Sequence, residues 1–228
     1  MQQDFWINSS PSGEFGCRLL QNWSVKDAAL SPTFLQGKNC TAFTVFGSAV
    51  GLKTITLPVH LYGSTSRDAL QKRSLLTAAL LDDIIHLQLP DGFLYRAVLS
   101  ESGSFQILSQ DACILSCQYE LSGMQCDPLQ QIIAAGDIFV QGTHPAMDCR
   151  ITCTASKAAE QYSMAGVTWK NVQPGDVLVI DGLKKQILKN GANAALDNDL
   201  TSWIKLHPGQ NKLVSPDPLT VEYYPTYL

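Results

Sequence analysis

The chain lacks a surplus of positive charge, which argues against a protein that binds nucleic acid through phosphate contacts. It carries 16 lysine and arginine residues against 20 aspartate and glutamate residues, so its net charge is −4. Nucleic-acid-binding proteins usually concentrate lysine and arginine on one face. We therefore expect no specific nucleic-acid binding. With 45% hydrophobic and 16% charged residues, the 228-residue chain can bury the core of one large domain or two small ones.

Long apolar segments are also missing. No run of 18 apolar residues occurs, so we expect no membrane insertion. The opening segment, MQQDFWINSSPSGEFG, has no basic stretch followed by an apolar run, which is the pattern of a secretory signal. We therefore expect the protein to be synthesised and folded in a cytoplasm.

The cysteines lack both the spacing of a zinc site and the even count of a disulfide framework. Two pairs are spaced four apart, Cys113 with Cys117 and Cys149 with Cys153, and residues four apart in a strand point the same way. The alternatives are metal ligands and buried free thiols. The pattern favours thiols, because each pair would share an apolar face with its neighbours. These faces are Cys113, Leu115, Cys117, Tyr119 and Leu121, and Cys149, Ile151, Cys153 and Ala155. The remaining cysteines are Cys17, Cys40 and Cys126.

Catalytic motifs are scarce. No G-x-S-x-G, Walker or G-x-G-x-x-G sequence occurs, and Ser102 lies in SESGSF, which is typical of an exposed turn. Ser202 and Lys205 match S-x-x-K by spacing alone, within an alternating strand pattern. The segment LDNDLTSW, residues 196–203, begins like a calcium loop but lacks its glycine and final glutamate, which favours a solvated turn. The four histidines are scattered, at His60, His86, His144 and His207.

From these observations we expect no enzyme activity, no cofactor, and no catalytic, cofactor-binding or metal-binding residues. His60 and His86 alternate with apolar residues, which predicts that they lie on the polar sides of their strands. His144 and His207 precede prolines in turn-like sequence.

Strand patterns dominate the first half of the chain. KTITLPVHLYG alternates, and Pro58 within it predicts an edge strand or a bulge. Its apolar face is Ile55, Leu57, Val59 and Leu61. IIHLQLPDGFLYRAVL predicts a hairpin that turns at Pro90-Asp91-Gly92. Its inward residues are Ile85, Leu87 and Leu89, then Phe93, Tyr95, Ala97 and Leu99. ACILSCQYEL predicts a further strand.

One segment predicts a helix, at about residues 66–82. Ser64 or Ser66 is the expected N-cap, Asp68 lies in the first turn, and strong helix formers follow. The expected apolar stripe contains Leu70, Leu76, Leu80 and Leu81.

The pattern changes near residue 130. LQQIIAAGD is typical of a connector, and eight short strand patterns follow with turn signals between them, which predicts a β-sandwich or barrel. The strand patterns are GDIFVQG, MDCRITCTA, VTWKNV, DVLVID, KKQILKN, SWIKL, NKLVS and LTVEYY.

The stretch GDVLVIDGLKKQILKNG, residues 175–191, has two interpretations. Asp176 and Asp181 form either an acid pair with nearby lysines or the turns around two strands. Strand rise separates the two carboxylates by about 16 Å, and Asp181-Gly182 and Asn190-Gly191 are pairs that tight turns prefer. These facts favour turns.

Taken in order, these features resemble the siphophage distal tail protein family, the hub component at the end of a non-contractile tail. The resemblance rests on DFWINSSPSGEFGCRLL, the helix SRDALQKRSLLTAALLD, the hairpin IIHLQLPDGFLYRAVL, and the strand ending at Cys126-Asp127-Pro128. In the second half it rests on VQPGDVLVIDGLKKQILKNG, SWIKLHPGQNKLV and LTVEYYPTYL.

The resemblance implies a mainly β fold of two β-sandwich-type domains. Residues 1–130 would form a ring-forming domain with one helix, and residues 131–228 a galectin-like, jelly-roll-like sandwich. The implied function is structural: a homohexameric ring at the virion tail tip that joins the tail tube to the baseplate. The implied partners are the tail tube protein, the tape-measure protein, a tail-tip lysin or fibre, and receptor-binding proteins. Edge strands KTITLPVHLYG or FLYRAVL would pair across subunits.

Two other functions remain open at this point, a lectin-like carbohydrate-binding module and another tail component such as a tube subunit. Neither sugar-binding motif of the galectins is present, because Lys170-Asn171 follow Trp169 and Ile204-Lys205 follow Trp203. Both tryptophans are therefore expected in the sandwich core or on a half-exposed strand.

Overall fold

The computed structural model describes residues 4–36, 38 and 43–228, so Cys40 lies outside the described part of the chain. Two compact units are present. The N-terminal unit runs to Gln125 and includes Leu228, and the C-terminal unit is Cys126–Tyr227. Both units are built mainly of antiparallel strands, so the predicted mainly β fold is confirmed.

The N-terminal unit contains one described α-helix, a short 3-10 helix at Ser12–Phe15, and ten strands. These elements are β1 (Trp6–Ile7), β2 (Ser10–Pro11), β3 (Cys17–Leu19), β4 (Ser24–Lys26), β5 (Leu30–Gln36), β6 (Phe43–Val50), β7 (Lys53–Tyr62), α1 (Ser66–Leu80), β8 (Ile85–Gln88), β9 (Leu94–Ile107) and β10 (Ile114–Cys126). The main sheet has the order β2-β1-β8-β9-β10-β7-β3, with β4 also on β7, while β5 and β6 form a separate hairpin.

The core of this unit lies between α1 and one face of the sheet, because the strands alternate as predicted. The inward residues of β7 and β10 are buried, and Tyr119 on β10 bonds Thr77 of α1 through its hydroxyl at 3.0 Å. The predicted hairpin is also confirmed, with Ile85 opposite Ala97 and Gln88 opposite Leu94. Phe93 differs from the prediction: it lies before β9 and is exposed.

The helix begins and packs differently from its sequence prediction. Its N-cap is Thr65, not Ser64 or Ser66, because the Thr65 side chain accepts the amide of Asp68 at 3.1 Å. The expected stripe is only partly correct, since Leu76 and Leu80 are buried while Leu70 and Leu81 are 43% and 65% exposed. Among the described residues no helix is long and apolar enough to cross a membrane.

Pro58 does not mark an edge strand, because β7 lies between β10 on one side and β3 and β4 on the other. The proline falls where residues 20–23 separate β3 from β4. There the Pro58 carbonyl accepts a hydrogen bond from the Leu20 amide at 2.9 Å. No described residue of β3 or β4 pairs with Pro58, so the N–H that proline lacks leaves no hydrogen bond of the sheet unmade. An interruption in the neighbouring strands therefore accommodates a proline inside a sheet.

The C-terminal unit contains twelve described strands. They are β11 (Gln130–Ala134), β12 (Asp137–Val140), β13 (Met147–Thr154), β14 (Ala159–Met164), β15 (Val167–Val172), β16 (Val177–Asp181), β17 (Gln186–Lys189), β18 (Ala192–Asn193), β19 (Lys205–Leu206), β20 (Gly209–Lys212), β21 (Leu219–Tyr223) and β22 (Thr226–Tyr227). The main sheet has the order β11-β21-β13-β16-β17-β18, with β19 also on β13. Strands β12 and β20 form one further pair, and β14 and β15 form another.

Two predictions for this unit are wrong. The expected connector LQQIIAAGD contains β11, an edge strand in which Ile132 lies opposite Val221 and packs against the core while Ile133 is exposed. The expected strand SWIKL is limited to Lys205–Leu206, because residues 201–204 follow an irregular path around the core. Short apolar segments of this kind carry too little periodicity to separate strand from loop.

Candidate functional site

Asp176 and Asp181 are separate turn residues and do not form an acid pair. The Asp176 carboxylate accepts the Gln173 amide and the Asn190 side-chain amide, both at 2.8 Å, and lies 3.2 Å from the Lys189 ammonium. The Gln173 amide, followed by Asn190, holds the pKa of Asp176 below its ordinary value. Asp181 instead accepts the amides of the following turn, so the turn interpretation of this stretch is confirmed.

The remaining chemical candidates are also engaged in structural contacts. The Lys205 ammonium of the S-x-x-K match bonds Asp148 at 2.6 Å, and Ser202 is exposed. In the segment that begins like a calcium loop, Asp199 accepts the amide of Thr168 at 2.6 Å. Within residues 4–36, 38 and 43–228, no three histidine, cysteine, aspartate or glutamate side chains form a group that could hold a metal ion.

The cysteine prediction holds for three of its four residues. Cys117, Cys149 and Cys153 are buried free thiols, and burial raises the pKa of Cys149 to about 12. Cys113 is partly exposed instead of sharing the apolar face, because β10 begins only at Ile114. The left-handed backbone at Ala112 turns the chain just before that strand.

The histidines occupy polar or turn positions. His60 and His86 are half-buried on their strands, as expected, and burial lowers the pKa of His86. The Nδ1 atom of His144 contacts the Ala146 carbonyl at 3.0 Å, and the Nδ1 atom of His207 contacts the Pro145 carbonyl. These contacts order the turn around Pro145.

The N-terminal unit has an open strand edge. Strand β8 covers β9 only over residues 94–97, so the rest of β9 has β10 as its one sheet partner among the described residues. We call residues 98–107 the open edge. It carries the exposed apolar side chains of Val98, Phe105 and Ile107. The prediction that KTITLPVHLYG and FLYRAVL are edge strands is therefore wrong, except for Val98 and Leu99, the last two residues of FLYRAVL, which lie on the open edge.

The β5–β6 hairpin is a second exposed apolar feature of this unit. Its strands pair only with each other in the described part of the chain, with a register shift between Thr33 and Phe34. Leu30 and Leu35 are both about two-thirds exposed, at 65% and 66%. Monomeric proteins rarely expose contiguous apolar surface together with unpaired strands, so both features are candidate assembly surfaces.

The C-terminal unit places its two tryptophans differently. Trp169 is completely buried in the core, whereas Trp203 is half-buried and packs against that core from its rim. Both positions agree with the structural interpretation of the tryptophans. A groove of about 490 Å³ runs beside Trp203, lined by Lys185, Gln186, Ile187, Leu188, Gly191, Asn193, Ala195 and Trp203.

Comparison with known proteins identifies the C-terminal unit. Residues 141–227 match the family described as siphovirus-type tail component, C-terminal domain. This segment is similar to a siphovirus tail component domain. It includes β13 through β22 and therefore most of the C-terminal unit. The resemblance of the chain to the siphophage distal tail protein is thereby confirmed. No curated protein matches the sequence.

Solved structures share the fold of the whole chain. The Dit protein of phage SPP1, described as a paradigm of the hub adsorption apparatus in phages that infect Gram-positive bacteria, has a TM-score of 0.69 and 13% identity, and 99% of each chain is covered. A chain of the phage P2 baseplate in its activated conformation with calcium has a TM-score of 0.61 and 8% identity, with 99% and 98% covered. The same baseplate with strontium gives 0.60 and 8%, with 97% of each chain covered.

Proposed function

We propose that this protein is a distal tail hub: a homohexameric ring at the tip of a siphophage tail that joins the tail tube to the baseplate and receptor-binding apparatus. The observation that carries the proposal is the tail component domain at residues 141–227 within a chain that shares its fold, over 99% of its length, with a hub protein. The role is structural, without an enzymatic step.

The open edge supplies a physical basis for ring assembly. On the side of β9 away from β10, residues 98–107 have no strand partner among the described residues, so this edge can accept a strand from a neighbouring subunit. A contact between this edge and a different surface of the next subunit is head-to-tail, and such contacts close into rings when the rotation matches. The exposed Leu30 and Leu35 of the β5–β6 hairpin offer apolar area for that second surface.

The partners of the hub follow from its place in the tail. On one side of the ring we expect the tail tube protein and the tape-measure protein, and on the other a tail-tip lysin or fibre and the receptor-binding proteins. A channel through the ring must let DNA pass without binding it, and a net charge of −4 suits that requirement. The domain division proposed for these roles is residues 1–130 for the ring and 131–228 for docking.

Native mass spectrometry and negative-stain imaging of the purified full-length chain test the ring. We expect a species six times the mass of the 24.9-kDa chain, with six-fold views. Val98→Lys together with Ile107→Lys places two charges on the open edge and is expected to give monomers. Phe139→Lys is the matched control, because Phe139 is an exposed aromatic residue on a strand of the C-terminal unit.

The alternative tail components give different images. A tube subunit would form long open tubes instead of closed rings. A monomer at high concentration, both alone and after mixing with the tail tube protein of the same phage, would contradict the hub proposal. Rings that survive the double substitution would show that the open edge is not the subunit contact.

A further inference from the structure

Asn190-Gly191 is the one Asn-Gly pair in the sequence, and it forms the tight turn between β17 and β18. Asparagine is a labile residue, and glycine after it removes the side chain that would hinder attack of the next backbone nitrogen on the carboxamide carbon. Both residues of the pair are exposed, so water reaches the turn. The pair therefore combines the reactive sequence with access to the second reactant.

Two hydrogen bonds hold the Asn190 carboxamide against the segment that leads into β16. Its oxygen accepts the Val177 amide at 2.8 Å, and its nitrogen donates to the Asp176 carboxylate at 2.8 Å. The Asn190 backbone amide donates to the Val177 carbonyl, also at 2.8 Å, which fixes the same residue from its main chain. We call the two side-chain bonds the carboxamide clamp. Both ends of the side chain are tied to residues 176–177, so the clamp must break before the carboxamide can turn toward Gly191.

We propose that Asn190 is a latent deamidation site, which the carboxamide clamp keeps closed in the folded protein. When the clamp opens, the Gly191 nitrogen bonds the Asn190 side-chain carbon, and the carboxamide nitrogen leaves as ammonia together with the Gly191 amide proton. Water then hydrolyses the cyclic imide at either carbonyl and yields aspartate or isoaspartate. The net reaction consumes water and releases ammonia, and it requires neither a cofactor nor a ring of subunits.

The reaction product does not fit the clamp. An aspartate side chain has no donor for Asp176, so two carboxylates would face each other in place of the 2.8 Å hydrogen bond. The Lys189 ammonium lies 3.2 Å from Asp176 and also bonds the Asn171 carbonyl at 2.7 Å, so it supplies one positive charge for two negative ones. Isoaspartate also lengthens the backbone of a turn whose flanking residues, Lys189 and Ala192, are paired. Deamidation therefore detaches the β17–β18 turn from the turn before β16, and refolding cannot reverse it.

Peptide mapping by mass spectrometry measures the deamidation rate at Asn190 in the full-length chain, incubated at mildly alkaline pH with and without urea. The folded chain should react about fiftyfold more slowly than the chain in urea, because reaction waits for local opening that breaks one charged and one neutral hydrogen bond. Asp176→Ala should raise the rate in the folded chain about tenfold, since it removes the charged bond of the clamp. Asp176→Asn keeps an acceptor oxygen without the charge and should raise the rate less.

Two controls separate the clamp from a general loss of stability. Gly182→Ala is expected to destabilise the same unit through its contact with the Cys149 carbonyl, while the bonds of Asn190 stay in place. It should therefore raise the rate at Asn190 less than Asp176→Ala does. Asn8 lies in the N-terminal unit and serves as the internal reference in every digest, because neither substitution should change its rate.

Asn190→Asp imitates the product directly. It should lower the urea midpoint of the C-terminal unit, whereas Asn193→Asp adds the same charge at an exposed position of β18 and should change the midpoint little. The proposal is overturned if Asn190 reacts as fast in the folded chain as in urea, if Asp176→Ala and Gly182→Ala raise its rate equally, or if the two aspartate variants have equal midpoints. If Asp176→Ala is unfolded, the rate in Asp176→Asn decides, and a rate equal to that of the wild type overturns the proposal.

Discussion

Asp176 is expected to anchor the β16–β17 hairpin, and Asp176→Ala tests that role. Its side chain is 12% exposed and holds two segments together: the turn before β16 through the Gln173 amide, and the turn after β17 through Asn190 and Lys189. Asn190 extends the network, because its side-chain oxygen accepts the Val177 amide at 2.8 Å. Removing the carboxylate therefore leaves two donors unpaired and removes one of the two hydrogen bonds that hold the Asn190 side chain.

The expected loss is about 2 kcal/mol of unfolding free energy. Each hydrogen bond to a charged group contributes about 1.5 kcal/mol, and a surface ion pair such as that with Lys189 adds up to about 0.5 kcal/mol. Access of water to the freed donors reduces that sum. In a unit of roughly 100 residues, a loss of ~2 kcal/mol lowers Tm by about 10 °C.

The pH dependence follows from the lowered pKa of Asp176. A carboxyl whose folded-state pKa lies below its unfolded value of 3.8 contributes stability above that pH, and this contribution is lost as the pH falls through the folded pKa. The difference between the wild type and Asp176→Asn, which cannot titrate, should therefore shrink as the pH is lowered below about 3.8.

Calorimetry and amide hydrogen exchange measure these effects. Calorimetry should show the transition of the C-terminal unit moving to lower temperature, and exchange should show lost protection at Gln173 and Val177. Asp137→Ala is a suitable control because the Asp137 side chain bonds just one described residue, the exposed Gln210. A loss below about 0.5 kcal/mol at pH 7, or equal effects of the two substitutions, would refute the assignment of Asp176 as an anchor.

Three further predictions concern other elements. Thr65→Ala removes the N-cap of α1 and should cost about 1 kcal/mol in denaturant unfolding, whereas Ser64→Ala should cost less. Gly182→Ala places a Cβ atom 2.8 Å from the Cys149 carbonyl oxygen, so it should cost about 1–3 kcal/mol by the same measurement, and an unchanged midpoint would contradict that contact. In the native protein Cys113 should react with a thiol reagent before Cys149, whose thiol is buried and has its pKa raised to about 12; simultaneous labelling would show that the unit opens readily.

Regular alternation made much of the strand content predictable. Every second residue is apolar and buried from Ile55 to Leu61 in β7, from Leu115 to Leu121 in β10 and from Met147 to Cys153 in β13. The turn at Asn190-Gly191 was also predictable from the sequence, because both residues adopt the positive φ that this pair tolerates. Such features depend only on residues that are neighbours in the sequence, so a single sequence is enough to predict them.

Other turns depend on distant backbone. Asp181-Gly182 suggests the same tight turn, but the chain makes a longer loop in which Lys185 has the positive φ. Gly182 is required there for another reason, because its amide donates to the Cys149 carbonyl at 2.9 Å and leaves no room for a side chain. Close approach between strands that are far apart in sequence leaves no local pattern.

The same distinction between local sequence and tertiary contacts applies to the candidate sites. The sequence by itself determined the mainly β composition, the helix α1, the buried thiols of Cys117, Cys149 and Cys153, and the order of turns that resembles the distal tail family. Only the tertiary structure decided which strand edges are open, because an edge is defined by missing partners. Strand β7 is paired on both sides, whereas β9 extends beyond the end of its partner β8. It also separated buried Trp169 from Trp203, since exposure depends on how the sheets and loops pack around each ring.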